Sequence, residues 1–161
     1  MNKISALALS IIIGGCLRLS ESQTSLAKPE IAQKDSIAKV TEVTATGEPD
    51  NYTFAVTVDS PDTGCSSYAD WWEVITPQKE LIYRRVLLHS HVDEQPFTRT
   101  GGTVAIQPED EVIVRVHMSS DGYSDRAQQG SIASGFTTKT LPPDFASDLE
   151  SVEPLPKDCA F

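Results

Sequence analysis

From Ile37 onward, short runs of Val, Thr, Tyr and Trp are broken by turn-forming residues about every ten positions, the spacing of an all-β domain. Ala38 to Thr46 alternates apolar and polar residues, with an irregularity around Val40-Thr41-Glu42-Val43, and predicts a first strand. Gly47-Glu48-Pro49-Asp50-Asn51 reads as a turn. Tyr52 to Asp59 follows, with Phe54, Val56 and Val58 sharing one face. After Ser60-Pro61-Asp62-Thr63-Gly64, Tyr68 to Thr76 and Leu81 to Ser90 predict a pair joined through Pro77-Gln78-Lys79-Glu80. Thr103 to Ile106 is a short strand. Glu111 to Met118 sends Val112, Val114 and Val116 inward and Ile113, Arg115 and His117 to the opposite face, and Ser131 to Leu141 closes the set. Pro142 onward is a tail whose one helical stretch is Pro143 to Leu149. The expectation is an antiparallel β-sandwich of about seven strands over residues 37–161.

The N-terminal pattern is different. Lys3 precedes an apolar run from Ile4 to Ile13, the layout of an export signal too short to span a bilayer comfortably. Ile13-Gly14-Gly15-Cys16 resembles a bacterial lipobox, which makes residues 1–15 the leader and Cys16 the lipidated residue. Ser25-Leu26-Ala27 offers ordinary cleavage instead, with a leader of 1–27, and an uncleaved anchor is the third alternative. Residues 16–36 are polar and without period, and read as a disordered tether. Every alternative puts the domain outside the cytoplasm, lipid-anchored at the envelope or soluble in the periplasm or medium.

Charge then narrows the partners. Thirteen Lys and Arg against twenty-three Asp and Glu give a net charge of −10 over 161 residues. That balance works against nucleic acid and against anionic membrane surfaces, leaving membrane contact to a lipid on Cys16. An envelope protein or a carbohydrate is the expected partner.

The segment Ile106-Gln107-Pro108-Glu109-Asp110-Glu111-Val112-Ile113-Val114-Arg115-Val116 resembles the corner and following strand of fibronectin-type and other immunoglobulin-like domains. It departs at Val112, where fibronectin-type domains usually carry a Tyr. The words Ser60-Pro61-Asp62-Thr63-Gly64-Cys65, Tyr68-Ala69-Asp70-Trp71-Trp72-Glu73-Val74 and Leu87 to Arg99 resemble a family of uncharacterised exported bacterial proteins with lipoprotein-like leaders and a Cys near the C-terminus. The resemblance covers roughly residues 40–161 and implies export and a compact domain, without an activity.

With Cys16 in the leader, Cys65 and Cys159 form an even pair in an oxidising compartment and predict one disulfide; two free buried thiols are the alternative. Histidine placement is the main chemical signal. His89 and His91 are two apart on an expected strand and share a face. In an immunoglobulin-like strand order, their strand and that of His117 run the same way, so all three imidazoles fall at one sheet edge about 10 Å apart. With Glu94 or Asp93 as a carboxylate, they make a candidate zinc or copper centre. Otherwise His89 and His91 order a loop through hydrogen bonds to backbone and Glu94.

Other motifs carry less. Asp62-Thr63-Gly64 matches the aspartic-protease triplet without a second copy and is better read as a β-turn. Ser36-Ile37-Ala38-Lys39 lacks the companions of the serine–lysine pattern. Trp71-Trp72 puts one ring on each face of a strand: one fills the core, and the other is exposed for sugar stacking or covered by the tail. Arg84 and Arg85 with Glu73 predict cross-strand charge pairs. The expected function is a non-enzymatic envelope module for binding or scaffolding, with an extracytoplasmic metal-binding protein as the alternative.

Overall fold

The computed structural model describes residues 37–160. The export leader, Cys16 and the tether expected over 1–36 lie outside the described residues, as does Phe161. The described chain is all-β, with no α-helix. Its strands are β1 (Lys39–Glu48), β2 (Asn51–Asp59), β3 (Ala69–Ile75), β4 (Leu81–Val86), β5 (Phe97–Val104), β6 (Val112–Met118), β7 (Gly122–Tyr123), β8 (Arg126–Ser131) and β9 (Gly135–Thr140). A 3-10 turn at Ser147–Ser151 lies within the expected tail, a few residues later than the helical stretch predicted there.

The hydrogen-bonded order is β4-β3-β6-β8-β1-β2-β5, with β7 on β6 and β9 on β8. Two antiparallel groups, β4-β3-β6-β8-β9 and β1-β2-β5, are joined at one point, where Lys39 pairs with Arg126 in parallel. The two ends of the path, β4 and β5, also approach each other, so the sheet is nearly barrel-like. The irregularity expected near Val40 is a register shift between Val40 and Glu42.

The core lies where the two groups face each other. Phe54, Val56 and Val58 of β2 and Phe97 and Val104 of β5 meet Trp72 and Val74 of β3 and Val112, Val114 and Val116 of β6. The opposite face of β3 and β6 is buried too, so every residue of both strands is out of water. A second cluster of Ile75, Ile113, Ala127, Leu141, Ala146 and Leu149 seals it, and the last three belong to the C-terminal segment.

Three expectations are corrected. The strand expected at 103–106 begins at Phe97. The single strand expected at 131–141 is the second arm of a hairpin, whose first arm, β8, reads Arg-Ala-Gln-Gln-Gly-Ser and has no apolar alternation to announce it. The strand expected to run to Ser90 stops at Val86. There the Leu87 amide turns to Asp70 O at 2.8 Å and the His91 amide to Asp62 Oδ2 at 2.8 Å.

Candidate functional site

The middle of β3 carries the densest chemistry. Glu73 stands directly opposite Arg84 of β4 and Arg115 of β6. Arg84 donates to Glu73 Oε2 from Nε at 2.8 Å and Nη2 at 2.6 Å, and Arg115 donates to Oε1 from Nε at 2.8 Å. All three side chains are at most 1% exposed. The remaining guanidinium donors turn to the C-terminal segment. Arg84 donates to the carbonyls of Leu149, Val152 and Pro154, and Arg115 to those of Phe145 and Ala146. These carbonyl dipoles offset the surplus positive charge that two arginines leave beside one glutamate. Tyr123 accepts from Arg84 at 3.0 Å; burial, then the Glu73 charge, push its hydroxyl up to about 12. The expected charge pair with Glu73 therefore exists for Arg84, whereas exposed Arg85 lies opposite Trp72.

Both tryptophans are covered. Trp72 lies in the core against Tyr83, and Trp71 stacks on His117 with centroids 3.6 Å apart and the Arg84 guanidinium 4.6 Å above it. At 3% and 0% exposure, neither ring offers a platform for sugar stacking.

The histidines separate into two environments. His117 faces the C-terminal segment, with Nδ1 2.7 Å from Asp70 Oδ1 and Nε2 3.3 Å from Glu150 Oε1. His91 stacks instead on Phe97 at 3.8 Å, with exposed His89 4.5 Å away. Glu94 is taken by Arg99 at 2.7 Å, and that hydrogen bond and charge hold its carboxyl below the ordinary range. Among the described residues, no three His, Cys, Asp or Glu side chains stand close enough to hold a metal ion. The expected centre of His89, His91, His117 and Glu94 is not assembled. The cause is the early end of β4, which turns His89 and His91 into a loop, while His117 is committed to Asp70 and Trp71.

Loop ordering by imidazole is corrected as well. The His91 amide and carbonyl, not its ring, hold the loop: the amide donates to Asp62 and the carbonyl accepts from Gln95 Nε2 at 3.0 Å. Asp62 is the hub that sequence reasoning reduced to a turn. It also accepts from Ser60 Oγ at 2.7 Å and the Ala69 amide at 2.9 Å. Aspartate in a turn commonly accepts local hydrogen bonds, which was the available signal; its tie to residue 91 depends on tertiary structure.

Cys65 and Cys159 form the expected disulfide, with Cα atoms 5.6 Å apart. It ties the far end of the C-terminal segment to the turn before β3. Between that segment and the β6–β7 turn opens a cleft of about 400 Å³, walled by Ile37, Met118, Tyr123, Leu141, Pro142 and Phe145, with Asp121 and Asp125 also in its lining. None of the site residues expected from sequence lines it. Four separate stretches of chain build the cleft, and no local spacing signals such a site.

No family model matches the chain, and no solved structure matches it. A curated protein from Halomicrobium mukohataei, named "Putative lipoprotein", is 38% identical over 84 residues. The match takes in 52% of this chain but spans 41% of that protein's length, so the chain is similar to part of a lipoprotein-like relative.

Proposed function

We propose that this chain is a non-enzymatic binding module of the cell envelope, anchored through a lipid on Cys16, with an immunoglobulin-like sandwich as its folded part. The strand order supports the fold reading: β4-β3-β6-β8 and β1-β2-β5 follow the C′-C-F-G and A-B-E groupings of such domains. The similarity to a protein named as a lipoprotein supports the anchor. The non-catalytic reading is supported by where the buried acids and bases are spent: Glu73 on two arginines, Asp62 on loop amides, and His117 on Asp70.

The observation that carries a binding role is the cleft. Its volume of about 400 Å³ falls within the ordinary range for ligand sites, and its walls are mainly apolar with a few polar groups. Apolar walls and two covered tryptophans favour an apolar segment of an envelope protein over a carbohydrate. A photo-crosslinking residue placed at Asp121 or Pro143 should give one discrete adduct in cells, absent when it is placed at Thr98 or Glu109. No adduct at either cleft position, or equal adducts at all four, overturns the reading. The anchor is tested separately: wild-type protein should take up a fatty-acid analogue and Cys16→Ala should not, and label retained in the variant excludes Cys16 as the attachment point.

A further inference from the structure

We propose that the cavity beside the 87–96 loop binds a small oxyanion of the phosphate type, held by His91, His89, Arg85 and Arg99. The starting point is an imbalance at His91. The residue is 2% exposed, yet neither ring nitrogen has a hydrogen-bond partner among the described residues. Asp62 Oδ2 is 3.9 Å from Nδ1, beyond hydrogen-bond reach, and already accepts the His91 amide. A buried polar group without a partner is costly, and native proteins seldom leave one so.

The loop that imposes this burial is firmly built. Gln95 Oε1 accepts from the Ser60 amide at 2.9 Å, and its Nε2 donates to Ser60 Oγ at 3.1 Å. With Asp62 and Phe97, these contacts fix the imidazole without using its nitrogens. The ring is positioned, and neither of its nitrogens is spent on a protein partner among the described residues.

What faces it decides the ligand class. His91 lines a cavity of about 120 Å³ together with Arg85, Leu88, His89 and Arg99, and no carboxylate lines it. Asp62 lies 3.9 Å from the His91 ring, and Glu94 is bonded to Arg99. In a chain of net charge −10, two arginines and two of the three histidines gather around one small space. Guanidinium groups only donate, and each imidazole has an N–H to donate, so the complement is a species that accepts from several sides at once. A phosphate-type oxyanion is such a species. A divalent metal is not, because both guanidiniums would repel it. The site shares no lining residue with the cleft and does not depend on it.

The test is a calorimetric titration of the exported protein with inorganic phosphate at pH 7 and low ionic strength, with the histidine ring protons followed by NMR. Saturable one-to-one binding is expected, with His89 and His91 signals shifting and His117 still. Arg99→Gln and His89→Gln should each weaken binding at least tenfold at unchanged melting temperature. These two side chains reach the surface, so they remain decisive if His91→Gln fails to fold. Vesicles of phosphatidylglycerol and of phosphatidylcholine separate the sources: Arg99-dependent sedimentation with the anionic vesicles assigns a lipid headgroup, and response to inorganic phosphate alone assigns the free anion. Absence of saturable binding to phosphate and to both vesicles overturns the proposal. So does equal phosphate binding in Arg99→Gln and His89→Gln, or zinc chloride shifting both histidines while phosphate and vesicles shift neither.

Discussion

Glu73 is the residue on which the outer face of β3 turns. Among the described residues, its carboxylate is the only acid hydrogen-bonded to the Arg84 and Arg115 guanidiniums, and both of those side chains are themselves buried. Replacing it with glutamine keeps the shape and removes the charge, leaving two buried cations without a counter-ion. Glu73→Gln should lower stability by about 3–5 kcal/mol in urea denaturation; a loss no larger than that of an exposed ion pair would show that the carbonyls of the C-terminal segment suffice. The pairing of Glu73 with an arginine was legible in the sequence, because alternation put both on facing positions. Its burial was not, because that depends on residues more than sixty positions further along the chain.

His91 makes a second prediction at this scale. Burial above all, then the charges of Arg99 and His89, lowers its pKa, while Asp62 and Glu94 act the other way. The unfolded chain takes up a proton near the ordinary value of about 6.5, and the native state resists protonation to a lower pH. The stability gained by keeping the ring neutral is therefore complete above that value and is lost as pH falls through it toward the folded-state pKa. Thermal melts between pH 7.5 and pH 5 should show wild type losing stability more steeply than His91→Gln, and parallel profiles would remove His91 as the cause.

At the scale of elements, the strands that announced themselves are those rich in β-branched and aromatic residues, whether one face is wet, as in β2, or both are dry, as in β3 and β6. β2, with Tyr52, Phe54, Val56 and Val58 buried in alternation, is the plainest. β8 was missed because Gln128 and Gln129 occupy its centre, and Gln128 is buried by bonding the β1 backbone at Val40 O, a contact no periodicity encodes. β5 was cut short because Gly101 and Gly102 interrupt it. Gly101 is needed there, since a Cβ would stand 2.6 Å from the Tyr83 hydroxyl and 3.1 Å from the Trp72 ring. The histidine cluster failed for a related reason: extrapolating β4 past Val86 carried His89 and His91 along a strand that had already ended. The cysteine pair was readable from count and compartment alone, and it closes a span of 94 residues. Cys159→Ser should lower stability by about 2–5 kcal/mol, read from melts with and without reductant. Wild type should expose neither Cys65 nor Cys159 to a thiol reagent when denatured without reductant, and two titratable thiols at these positions would contradict the bond.

Across the whole molecule, the C-terminal segment has a consequence in time. Residues 141–160 are synthesised after every strand of the sheet, yet they complete the burial of β3 and β6 and carry the partner of Cys65. Until they arrive, Ile75 and Ile113 lie uncovered, Arg84 and Arg115 lack their five carbonyl acceptors, and Cys65 waits as a free thiol. Folding of this domain therefore cannot finish progressively from the N-terminus as the chain emerges. Its last step is a docking event, and a chain interrupted before Leu141 carries all nine strands without the cover that makes them native.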